Sequence, residues 1–102
     1  MKFSRIQGDS LWANVVCDPT SIMAIDEVWA NWSGEWFVSG TTLSGTMARS
    51  ATTGTFFLRI GSETVIGWSE LPIGSYKLVT EVNNSTADYV HKETHTLNIN
   101  GL

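Results

Sequence analysis

The sequence predicts an all-β domain, and three observations carry that prediction. Apolar residues recur at every second position through several short stretches, which is the period of a strand. Clusters of Gly, Pro, Asn, Asp and Ser interrupt those stretches about every 8–12 residues, the rhythm of a β-sandwich. Twelve Thr and eleven Ser stand among 102 residues, and both types favour strands and turns over helix interiors. No stretch shows a convincing 3.6-residue period. Seven to eight antiparallel strands in a sandwich are expected, with a small barrel as the alternative.

Composition sets the bounds. A chain of 102 residues, 42% of them hydrophobic, is one domain, residues 1–102, with enough apolar surface for one core. The formal net charge is −4 and the pI about 4.9. The six Lys and Arg are scattered, so nucleic acid and anionic membrane are poor partners. Cys17 is the single cysteine. An internal disulfide is therefore impossible, as suits a reducing compartment. Met1 to Ile6 lacks the apolar run of a signal peptide, and no run has the length of a membrane span.

Taken in order, residues 1–10 form a short edge strand or arm ending at Gly8-Asp9-Ser10. Leu11 to Cys17 is a strand that Asp18-Pro19-Thr20 ends, because Pro19 cannot extend a central ladder. Ser21 to Ile25 is ambiguous between strand and helical turn. Glu27 to Trp32 alternates, Ser33-Gly34 reads as a two-residue hairpin turn, and Glu35 to Val38 returns. Trp32 and Trp36 then face each other across that turn as a cross-strand aromatic pair.

A further strand lies around Thr42 to Ala48. Thr55 to Ile60 is another, with Phe56, Leu58 and Ile60 on one face. Val65, Ile66 and Trp68 plug one end of the core, in a single turn of 3₁₀-helix. The last two strands, from Tyr76 to Asn83 and from Tyr89 to Asn100, are long, so their tip is expected to project past the sandwich.

Between the third-last strand and this final pair lies Leu71-Pro72-Ile73-Gly74-Ser75-Tyr76. Pro72 fixes φ, Gly74 can take a positive φ, and together they make a corner. A tyrosine just past a corner, opening a late strand, matches the tyrosine corner of immunoglobulin-like sandwiches, whose hydroxyl bonds backbone upstream. Pro72, Gly74 and Tyr76 are thus structural candidates.

Few residues point to chemistry. His91, Glu93 and His95 alternate on one strand face and are conceivable metal ligands. Positions two apart on a strand are about 6–7 Å apart, so a second element would have to close the site. The plainer reading is a solvated strand. No carboxylate pair, nucleophile elbow or phosphate loop is spaced for catalysis, and Cys17 reads as a buried, inert thiol. A non-enzymatic protein without cofactor is expected. Five Trp are many for this length. Some must fill the core. The outward ones, with Trp12, Trp29 and Trp36 as candidates, could stack on sugars or bury against a partner.

Several residues together carry a resemblance. Gly8-Asp9-Ser10-Leu11-Trp12, Trp29-x-x-Trp32-x-Gly34-x-Trp36, Gly54-x-Phe56-x-Leu58-x-Ile60, Leu71-Pro72-x-Gly74-x-Tyr76-x-Leu78 and a late Asp88-Tyr89 are similar to small immunoglobulin-like modules of tailed-bacteriophage and prophage virions. Such modules occur in baseplate, tail and neck proteins. The resemblance implies a structural or adaptor module, made in the bacterial cytoplasm, that forms a homo-oligomer or docks to other virion proteins. It implies no catalytic residues. A carbohydrate-binding module using exposed Trp side chains is the alternative.

Overall fold

The computed structural model describes residues 2–16, 32–49, 55–85 and 89–101. The readings for Cys17, for Pro19, for 21–31 including Trp29, for Gly54 and for Asp88 lie outside them. Seven strands follow in chain order: β1 (Lys2–Ile6), β2 (Leu11–Val16), β3 (Trp32–Val38), β4 (Ser44–Arg49), β5 (Thr55–Ile60), β6 (Gly74–Asn84) and β7 (Tyr89–Asn100). Among the described residues a turn of 3₁₀-helix, Trp68–Glu70, precedes β6. The protein is all-β, as its alternating pattern predicts.

The strands form one mixed sheet in the order β1-β7-β6-β3-β4-β5-β2. It folds over itself because β4 serves two neighbours. Its residues 44–47 pair with β3, while Ala48 and Arg49 pair with Phe57 and Phe56 of β5. One half is therefore β7-β6-β3 with β1 on its flank, and the other is β5-β2. The two halves are joined through β4 into one nearly barrel-like wrap.

One pairing departs from the antiparallel expectation: β1 runs parallel to β7, Phe3 beside Leu97. The reason lies in the turn after β1. Gly8 has φ 90°, a conformation that favours glycine, and Asp9 N donates to Ile6 O at 2.9 Å. The chain leaves the β7 layer there and enters β2 in the opposite half.

The core is built by alternation. Trp32, Gly34, Trp36 and Val38 point inward from β3 while Ser33, Glu35 and Phe37 point out. Phe56, Leu58 and Ile60 of β5 are fully buried, as are Leu78 of β6 and Leu97 of β7. Burying each such side chain contributes about 1.5–3 kcal/mol.

The expected hairpin at Ser33-Gly34 does not exist, because both residues lie inside β3. Gly34 pairs with Met47 on one side and Val82 on the other. Glycine is needed there for close approach rather than for turning. A Cβ on Gly34 would lie 2.7 Å from Phe56 Cδ1 and 3.0 Å from Met47 Cε. Trp32 and Trp36 thus share the inner face of one strand instead of facing each other across a turn.

The end of the core differs in one residue. Trp68 and Val65 close it, and Trp68 Nε1 donates to Asp9 O at 2.8 Å. Ile66 is 99% exposed and plugs nothing. The turn that buries Trp68 is made at Gly67, φ 91°, which throws the preceding side chain outward. The tip expected to project, at 86–88, lies outside the described residues; the last pair is flanked as far as Asn84. There β3 still flanks β6, Trp32 pairing with Asn84.

At the corner, Tyr76 Oη donates to Pro72 O at 2.7 Å. Its ring is half-buried against the core. Gly74 is not left-handed: the described positive-φ glycines are Gly8, Gly40 and Gly67. Gly74 is the first residue of β6, and its Cα lies under the Tyr76 ring, where a Cβ would meet ring atoms at 3.7–3.8 Å. The bend is made by Pro72 and held by the tyrosine.

Two substitutions test this packing. Gly34→Ala should destabilise by about 1–3 kcal/mol through overpacking against Phe56, read from the urea unfolding midpoint. A tolerated alanine would contradict the close approach. Tyr76→Phe should cost about 0.5–1.5 kcal/mol, toward the lower end because the hydroxyl's bond is solvent-exposed. An unchanged midpoint would show that the bond does not brace the corner.

Candidate functional site

The outer face of β2 and β5 carries the most unusual surface group. Leu11 of β2 is fully buried and Trp12, one residue on, is 68% exposed. On β5, Leu58 and Ile60 point inward and Arg59 outward. The ladder sets Trp12 directly opposite Arg59. The guanidinium lies 5.4 Å from the Trp12 ring centroid and 5.0 Å from that of Phe57. Such contacts are worth about 0.5–1 kcal/mol at exposed sites.

Backbone fixes that guanidinium. Arg59 Nη1 donates to Ala13 O at 2.9 Å and to Leu58 O at 3.0 Å, and Nη2 reaches Asn14 Oδ1 at 3.5 Å. Beside Trp12 and Arg59 opens a cleft of about 450 Å³, whose other wall is the Gly61–Thr64 loop with Glu63 and whose end is Ser10. A second depression of about 280 Å³ shares Arg59 and Thr64 with it and reaches Trp36 and Gly45. It lies where residues 44–47 of β4 pair with β3 rather than with β5, the described β4–β5 pairs being those of Ala48 and Arg49.

The three candidate tryptophans separate. Trp12 is the exposed one. Trp36 is 2% exposed, so it is a core residue and offers no stacking face; this corrects its expected surface role. It points inward with Trp32 because both sit on the inner phase of β3. A Cβ on Gly45 would lie 2.8 Å from Trp36 Nε1, so the indole edge packs against bare backbone. Trp29 lies outside the described residues.

Sequence reasoning missed Arg59, Glu63, Ser10 and Thr64. The alternation already showed that Arg59 faces outward. Nothing local told which residue it meets across the ladder.

β2 has a second property. Its six residues, Leu-Trp-Ala-Asn-Val-Val, carry no charge. Among the described residues it pairs on one side only, with β5. The other edge strand, β1, carries Lys2 and Arg5, the charges that discourage edge pairing.

The histidine row is arranged as the alternation expects, with the Glu93 carboxylate between the two imidazoles. His91 Nε2 lies 3.2 Å from Glu93 Oε1, both partly exposed. His95 is buried, with Nε2 at 3.0 Å from Thr80 Oγ1 in a hydrogen bond and 3.7 Å from Glu93 Oε2. Its ring packs beside Phe3 at 5.6 Å, and Nδ1 has no hydrogen-bond partner among the described residues. Among the described residues no group of three or more His, Cys, Asp and Glu is placed to hold a metal ion. No helix among them is long and apolar enough to cross a membrane.

Burial holds the His95 pKa below the ordinary imidazole value, the N-terminal amine adds to that, and Glu93 opposes both. Comparison with family models, with curated proteins and with solved structures finds no match to the chain.

The sign of the His95 shift fixes a pH dependence. The folded state holds the imidazole neutral, so its contribution is complete above the unfolded value of about 6.5 and is lost as pH falls below it. Unfolding free energy should therefore fall as pH drops from 7 toward 5. His95→Gln should flatten that slope, measured by urea denaturation across the range. Equal slopes in both proteins would remove His95 as its source.

Proposed function

We propose that the chain is a non-enzymatic assembly module that self-associates through the edge of β2. The single observation that carries this reading is β2 itself: an uncharged strand whose outer edge meets no other described strand. Such an edge presents a row of backbone donors and acceptors to another chain. The same edge on a second copy is self-complementary about a two-fold axis, which gives a closed dimer rather than an open fibre. The contrast with the charged β1 edge supports the choice. The setting proposed for the module is a phage or prophage virion, in a baseplate, tail or neck, and that setting rests on the sequence resemblance described above.

Light scattering over a concentration series up to about 1 mM should show a dimer or larger species. Asn14→Asp should shift it toward monomer. Two carboxylates would then face each other near the two-fold axis of paired β2 strands, where like charges oppose pairing. The substituted side chain still accepts from Arg59, so the fold and the cleft are retained. A strict monomer at every concentration would overturn self-assembly, and so would a dimer that Asn14→Asp leaves intact.

A further inference from the structure

We propose that the cleft between Trp12, Arg59 and the Gly61–Thr64 loop binds a neutral carbohydrate. The assembly edge of β2 is a row of backbone groups, whereas this cleft is made of side chains on its outer face, so the two can be occupied together. Four features point to a sugar.

Trp12 supplies a flat apolar platform that is 68% exposed. A pyranose ring has C–H groups on its faces and fits flat against an indole, while its hydroxyls point sideways to polar groups. Those polar groups are present around the rim. Ser10, Ser62 and Thr64 offer hydroxyls, Glu63 offers acceptors, and all four line the same cleft. Arg59 has five N–H donors and three bonds to protein, so donors remain for a ligand hydroxyl.

The third feature is preorganisation. Arg59 sits over the Trp12 ring at 5.4 Å and is anchored on two backbone carbonyls. The platform is held in place before a ligand arrives, which lowers the ordering cost of weak binding. The volume, about 450 Å³, lies in the range of small-molecule sites.

Charge selects a neutral ligand. The ionisable groups lining the cleft are Arg59 and Glu63, which cancel, in a chain of net charge −4. A base could also stack on Trp12, but an oligonucleotide needs a positive track for its phosphates, and none lines the cleft among the described residues. An acidic sugar or a phosphate would meet Glu63.

The test is a titration of the full chain, ¹⁵N-labelled, with neutral hexaoses built from β-linked glucose, α-linked glucose, xylose, mannose and N-acetylglucosamine, each up to about 10 mM. At least one should give saturable shifts at the Trp12 indole N–H and at the 61–64 amides. Trp12→Ala should weaken that binding at least about tenfold. Its thermal midpoint should stay near that of the parent, because Trp12 lies outside the core. Glu63→Gln should weaken binding less, and Trp12→Phe should restore part of what Trp12→Ala loses. Absence of saturable shifts with all five sugars would overturn the proposal. So would sugar shifts that persist in Trp12→Ala, or saturation by a deoxythymidine hexamer or a proline-rich peptide in place of every sugar.

Discussion

The ring of Phe56 rests on the backbone of Gly34, and the spacing of the two halves follows from that contact. Phe56 belongs to β5 and Gly34 to β3, the centre of the other half. Any side chain at 34 would meet the ring at 2.7 Å. A second contact repeats the device: Gly45 of β4 leaves bare backbone beside the Trp36 indole. Large aromatics fill the core because small residues face them, as dense packing requires. Removing either partner leaves a cavity or a clash, so aromatic and glycine are fixed together.

That spacing also explains the surface. β4 begins in the β3 ladder and ends in the β5 ladder, so the sheet turns over its own core within six residues. Where residues 44–47 of β4 pair with β3 rather than with β5, the 61–67 loop carries Thr64 and Glu63 to the side of Arg59. The cleft is thus a consequence of how the halves are joined. Strand β2, last in the sheet, meets no second strand among the described residues and carries an outward tryptophan for the same reason. Its chain neighbour β1 pairs with β7 in the other half and cannot cover it.

The strands were legible where alternation was clean. The span of β5 from Thr55 to Ile60, of β7 from Tyr89 to Asn100, and the upstream hydrogen bond of Tyr76 could all be read from period and corner. Gly34 misled because glycine beside serine between two tryptophans is chemically the same as a hairpin turn. What distinguishes it is Phe56, twenty-two positions away, and no local pattern contains that. Gly74 misled likewise: it opens β6 without a positive φ, a Cβ there would make only ordinary contact with Tyr76, and the left-handed turn falls at Gly67. In the candidate site, the outward phase of Trp12 and Arg59 was legible. Their pairing was not, because register depends on which strands meet.

The plainest account of Arg59 is that it shields aromatic surface from water. Its guanidinium lies within 5.4 Å of both the Trp12 and Phe57 ring centroids, and arginine stems and heads often cover apolar surface in this way. That account fits Phe57, which is half-buried beside it. It fails for Trp12, which is still 68% exposed with Arg59 in place. Single exposed apolar residues are common on proteins and need no cause by themselves. Trp12 is not single in that sense: it has a fixed cation on it, a cleft beside it and hydroxyls around the rim. An indole packed against a guanidinium that three hydrogen bonds to other residues hold in place, yet left open to water, is the feature on which the proposed sugar site rests.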